Sequence, residues 1–131
     1  IGRALEASGG ELAETRDLAA AVLVRAASAG DRLDAAKDLV AGAGGKGAGA
    51  RDELATHLRA MASLLRDVEL VSSGGDPRAL ANADVKPVLD RLTAFQGDRG
   101  LRAFAAIDRA LTALDGNAGV KVVADWLVLQ L

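Results

Sequence analysis

The chain has 131 residues, enough for one domain, and half of them are hydrophobic, so a core can form. Net charge is only −2, which gives no overall field to draw the chain to DNA or membranes. Cysteine is absent, which removes disulfides, thiolate nucleophiles and cysteine–metal sites. No apolar run approaches the ~20 residues that cross a bilayer, and no stretch reads as a signal peptide, so a cytoplasmic protein without membrane contacts is expected.

The apolar supply is mostly Ala, Leu and Val, with Trp126, Phe95 and Phe104 as the only aromatics. Leu and Ala favour helix, and the residues that favour strands are scarce. The expected fold class is all-α, an antiparallel helical bundle. Residues 1–8 read as a short helical piece closed by Gly9 and Gly10. A helix follows over 11–29, with Leu12, Leu18, Val22 and Leu23 on one side and Glu11 and Glu14 suiting its N-terminus. Gly30 stops it. Asp31 is placed to cap a helix over 32–41, with Leu33, Ala36, Leu39 and Val40 inward.

Residues 42–50 read GAGGKGAGA. Glycine loses the most backbone freedom on ordering, and nothing in this stretch packs, so a flexible loop is expected. It separates a leading piece, 1–41, from a C-terminal helical bundle, 51–131. In the second piece Leu54, Leu58, Met61, Leu65 and Val68 recur at spacings of 4, 3, 4 and 3, an amphipathic seam. SSGGDP at 72–77 stops that helix. Asp84 is placed to cap the next, where Val85, Val88, Leu89, Leu92 and Phe95 share a face and Pro87 falls in the first turn. Gly97 and Asp98 form a stop-and-cap pair. Leu101, Phe104, Ile107, Leu111 and Leu114 make another seam, then Gly116 and Asn117 stop it before a last helix from about 118.

Little here points to chemistry. Gly42, Gly44 and Gly47 fit G-x-G-x-x-G, but a dinucleotide site needs a strand before that turn, and here a helix precedes it. Lys46 is followed by Gly47, with no Ser or Thr to hold magnesium as in a phosphate loop. His57 is the only histidine and reads as a surface residue pairing weakly with Glu53 one turn earlier. Arg66 beside Asp67, and Lys121 with Asp125, read as solvated helix faces. No catalytic residue, cofactor site or metal site is assigned, and the chain is expected to bind neither ATP nor a metal.

The order of segments resembles the C-terminal part of the delta-prime subunit family of bacterial DNA polymerase III, within the clamp loaders. IGRAL at 1–5 resembles the end of that family's lid domain, where Gly-Ser-x-Gly-Arg-Ala-Leu is typical. LATHLRAMASLLRDVEL at 54–70 resembles its long helix, LANADV at 80–85 its cap before the next helix, and GNAGVKVVADWLVLQL at 116–131 its last helix. Because Ile1 opens the chain within the first of these motifs, the chain is expected to be part of a longer protein. The resemblance implies a helical collar domain that holds five subunits in a ring. Its implied partners are the other clamp-loader subunits, delta and gamma/tau. The sliding clamp and primer–template DNA are reached only through the full complex. In the gamma/tau subunits a sensor arginine stands where Gly2 stands here, and Arg3 replaces their Asp, so the likeness favours delta-prime; a gamma/tau collar or an unrelated helical binding or regulatory module is the alternative.

The last helix carries two apolar strips. At about 100° per residue, Val120, Val123, Ala124, Leu127 and Leu131 share the face assigned to the core. Val122, Trp126 and Leu129 form the second strip, beyond a polar stripe of Lys121 and Asp125. Two readings stay open: Trp126 fills the centre of the bundle, or the second strip meets the preceding domain or a neighbouring subunit.

Overall fold

A computed structural model describes residues 2–44, 49–81 and 86–131, with side chains from Leu12 onward. Six α-helices and no strand occur among the described residues. They are α1 (Gly2–Ala26), α2 (Arg32–Gly42), α3 (Ala50–Ser72), α4 (Lys86–Asp90), α5 (Asp98–Asp115) and α6 (Val120–Gln130). Single 3-10 turns lie at Ala29–Asp31, Pro77–Ala79 and Thr93–Phe95. The chain is therefore an all-α helical bundle.

The five longer helices close a ring around one core. Going round it, α1 packs on α2, α2 on α6, α6 on α5, α5 on α3, and α3 back on α1. The leading helices are thus bound to both ends of the second piece. The α3 seam is fully inward: Leu54, Leu58, Met61, Leu65 and Val68 are all buried, and Leu64 joins them. Burying each such side chain contributes about 1.5–3 kcal/mol before entropy is counted. Short links between packed neighbours, such as Gly116–Gly119 between α5 and α6, make those neighbours run antiparallel.

Several expectations are corrected. Gly9 and Gly10 do not close a short helix; the backbone of α1 runs through them from Gly2. Glycine weakens a helix interior by only about 1 kcal/mol against alanine, which a long helix packed on two neighbours can absorb. The helix ends at Ala26, before Gly30, and Asp31 forms no side-chain cap bond. The glycine-rich stretch is narrower than 42–50, because Gly42 closes α2, Ala43 is buried and Ala50 opens α3. Its centre, 45–48 with Lys46, lies outside the described residues, as does the cap at Asp84.

The helix expected to carry Val88 to Phe95 is broken. Helix α4 stops at Asp90, and a turn leads into the 3-10 turn at Thr93–Phe95. Leu89, Leu92 and Phe95 are nevertheless buried. Gly97 follows at φ +69°, a conformation that side chains disfavour, and reverses the chain into α5. Gly100 lies so close to the preceding turn that a Cβ there would collide with the main-chain oxygen of Phe95.

Four large residues expected inward face out: Leu12, Leu33, Leu101 and Phe104. Their helices bury small residues alongside Val22 and Leu23 on α1 and Leu39 on α2. Ala19 and Ala20 face inward on α1, Ala35 and Ala36 on α2, and Gly100, Ala103, Ala106 and Ala110 beside Ile107 and Leu114 on α5.

Candidate functional site

Helix α6 buries one face and exposes the other. Val123, Ala124, Leu127, Val128 and Leu131 are buried, and Val120 packs against them. On the opposite side Val122 is 69% exposed, Leu129 60% and Trp126 36%. The strip of Val122, Trp126 and Leu129 is therefore brought together at spacings of one helical turn, away from the core. Trp126 does not fill the centre of the bundle; that place is taken by Leu127, Ile107 and Met61, each with no exposed surface. Between the two faces Lys121 donates to the Asp125 carboxylate at 2.7 Å, an exposed pair one turn apart.

Both ends of α6 are fixed by arginines whose role the sequence did not signal. At its start, the Arg51 guanidinium of α3 donates to the main-chain oxygens of Ala118 at 3.1 Å and Asn117 at 3.0 Å. Asn117 sits at φ +68° in the turn that joins α5 to α6. At its far end, Arg99 of α5 donates through Nε to the main-chain oxygen of Leu131 at 2.9 Å, and through Nη2 to that of Ala27, also at 2.9 Å. The Arg99 guanidinium also rests 5.1 Å from the centre of the Phe95 ring. Charge-assisted bonds of this kind hold backbone more firmly than neutral ones. The apolar strip thus sits on a helix anchored at both ends, so its three side chains keep a fixed spacing.

Other singled-out residues take different places. His57 is not on the surface. It is buried, and its Nδ1 pairs with the main-chain oxygen of Glu53 at 2.7 Å, while the Glu53 carboxylate is exposed. An Nδ1–H facing a carbonyl leaves Nε2 as the acceptor in the neutral ring, and Nε2 faces Gly42 across the joint between α2 and α3. Asp67, expected to be solvated, is buried and accepts the main-chain N–H of Ala81 at 3.1 Å, tying the segment after Pro77–Ala79 to α3. Gly42 and Gly44 lie at the end of a helix with no strand before it, and Gly47 lies outside the described residues.

Among the described residues, no group of three His, Asp or Glu side chains has the arrangement of a metal site, and no helix is long and apolar enough to cross a membrane. No family model, curated protein or solved structure matches this chain.

Proposed function

We infer that this chain is a non-catalytic assembly domain, and that its specific role is that of a clamp-loader collar of the delta-prime kind. The observation that carries the reading is the strip of Val122, Trp126 and Leu129 on an α6 anchored at both ends. An apolar strip left facing water costs solubility unless a partner covers it, and tryptophan is enriched among residues that dominate interface energies. The order of the segments 54–70 and 116–131, which resembles a collar, supplies the identity of the partner: the delta and gamma/tau subunits of the loader. In this reading the domain works in the cytoplasm without a cofactor of its own. It serves the loading of the sliding clamp at primer–template DNA as part of the assembled complex, and the enzymatic work belongs to other parts of that complex.

The test is co-elution of the full-length protein with delta and gamma/tau on a sizing column. Trp126→Ala should leave the protein folded and monodisperse yet shift it out of the complex peak. Retention of the variant in the complex, at concentrations where the wild type is just saturated, would remove the strip from the interface. Failure of the wild type to join these subunits at all would remove the clamp-loader assignment and leave a helical binding module for another protein.

A further inference from the structure

An open cleft of about 540 Å³ lies where α5 and the end of α6 meet the start of α2. Four arginines line it: Arg32 from α2, and Arg99, Arg102 and Arg109 from α5. Leu129, Gln130 and Leu131 form part of the remaining wall; no carboxylate side chain contributes, and the acceptor there is the Leu131 main-chain oxygen that Arg99 already holds. This concentration of positive charge occurs in a chain whose net charge is −2.

The arginines are not consumed by the fold to the same degree. Arg99 is committed to two main-chain oxygens and the Phe95 ring. Arg32 makes one long bond, Nε to the oxygen of Ala26 at 3.4 Å. Arg102 and Arg109 are exposed and have no hydrogen-bond or ion-pair partner among the described residues. Asp98, one turn before Arg102, forms no ion pair with it. Like charges gathered in one cleft repel one another, and a bound anion offsets that repulsion.

We propose that this cleft binds two or more linked phosphate groups, those of a nucleic-acid backbone or of an inorganic polyphosphate. A guanidinium matches two oxygens of a phosphate at once, and a tetrahedral phosphate offers further oxygens to a second arginine. Arginines reaching in from α2 and from α5 can therefore share one group. Several phosphates in sequence supply the negative charge that four guanidinium groups need within this volume, whereas an acidic peptide supplies a single charge on each side chain. The recognition is by side chains, unlike the phosphate loop that the sequence lacks, in which main-chain amides surround the ligand. The cleft and the apolar strip share Leu129 but draw on different chemistry, so this inference stands whether or not the strip is an assembly surface.

The test is a titration of the purified chain at low salt with sodium tripolyphosphate, by calorimetry, and with a fluorescent oligothymidylate of about twelve nucleotides, by anisotropy. Saturable binding is expected. Arg102→Gln combined with Arg109→Gln should weaken it about tenfold or more, while Arg66→Gln with Arg91→Gln, which removes the same charge from exposed positions elsewhere, should change it less than about twofold. If the first pair lowers the melting temperature, Arg102→Lys with Arg109→Lys replaces it; keeping the charge but losing the fork should still weaken binding about threefold. Tighter binding of the oligonucleotide assigns nucleic acid, and tighter binding of tripolyphosphate assigns a small polyphosphate. The proposal is overturned by the absence of saturable binding below about 1 mM, by equal weakening from both arginine pairs, or by poly-glutamate of matched charge binding as tightly as the phosphate ligands.

Discussion

Helices α5 and α6 lie side by side, and each gives one face to the same core, yet the flank that each turns toward the arginine cleft or the apolar strip differs in chemistry. Beyond its buried Ala103, Ile107 and Ala110, α5 presents Arg102 and Arg109 on the flank that lines the cleft, with Leu101 and Phe104 exposed on its other flank. Beyond its buried Val123, Leu127 and Val128, α6 presents Val122, Trp126 and Leu129. An arginine-bearing outer face is stable in water on its own. An apolar one is not selected by folding, because folding is already satisfied by the inner face. The difference separates what these residues do for the fold from what they offer to another molecule, and substitutions on the two faces should separate in the same way.

The largest effect is expected on the inner face. Leu127→Ala removes a side chain with no exposed surface from the centre of the ring and should cost about 2–5 kcal/mol of unfolding free energy. Gly100→Ala comes next. Its methyl group would collide with the main-chain oxygen of Phe95, and the turn into α5 must shift to admit it, at about 1–3 kcal/mol. Denaturant melts of both variants measure this. A Gly100→Ala protein as stable as wild type would mean that the turn before α5 yields freely and does not fix the position of Arg99.

How much of this was legible depended on what does the packing. Leucine seams could be read, because at Leu54, Leu58, Met61, Leu65 and Val68 the large residues are the buried ones. So could the two strips of α6, since both are apolar and differ only in angle round the helix. Leu12, Leu33, Leu101 and Phe104 misled because alanines fill part of the inner face of α1, α2 and α5, beside Leu23, Leu39 and Ile107. Small residues let helix axes approach closely and leave larger ones outside, and a hydrophobicity pattern cannot tell a small inner face from a polar-flanked outer one. The main-chain acceptor of His57 lies one turn earlier in its own helix, but its burial depended on a joint with α2 that only the assembled bundle supplies. The anchors of α6, Arg51 to Ala118 and Arg99 to Leu131, act across separations of 67 and 32 residues, which no local pattern encodes. For the arginine cleft, the spacing of Arg99, Arg102 and Arg109 on α5 was a usable signal, but Arg32 joins them only through the packing of α2 on α6.

Trp126→Ala should fall well below Leu127→Ala in its effect on stability. The indole is partly covered, so its loss should cost about 1–2 kcal/mol, against the 3–5 of a fully buried tryptophan. Urea melts of the two variants side by side sharpen the comparison. A Trp126→Ala protein as destabilised as Leu127→Ala would erase the distinction between the two faces and make the strip part of the core. Near-wild-type stability combined with loss of co-elution would place its work outside the folded chain.

The smallest effect is expected from the polar stripe between the faces. Lys121 and Asp125 are an exposed i,i+4 pair, and such pairs contribute about 0.3–0.5 kcal/mol. Two features push this one to the low end. The basic residue precedes the acidic one, the less favourable order on a helix, and Lys121 lies in the first turn, where the helix dipole disfavours a positive charge. A double-mutant cycle with Lys121→Ala and Asp125→Ala should therefore give a coupling of about 0.3 kcal/mol or less, shrinking further as salt is raised. A coupling above about 1 kcal/mol, insensitive to salt, would show that the pair is shielded from solvent, and the stripe would then belong to a covered surface together with Val122, Trp126 and Leu129.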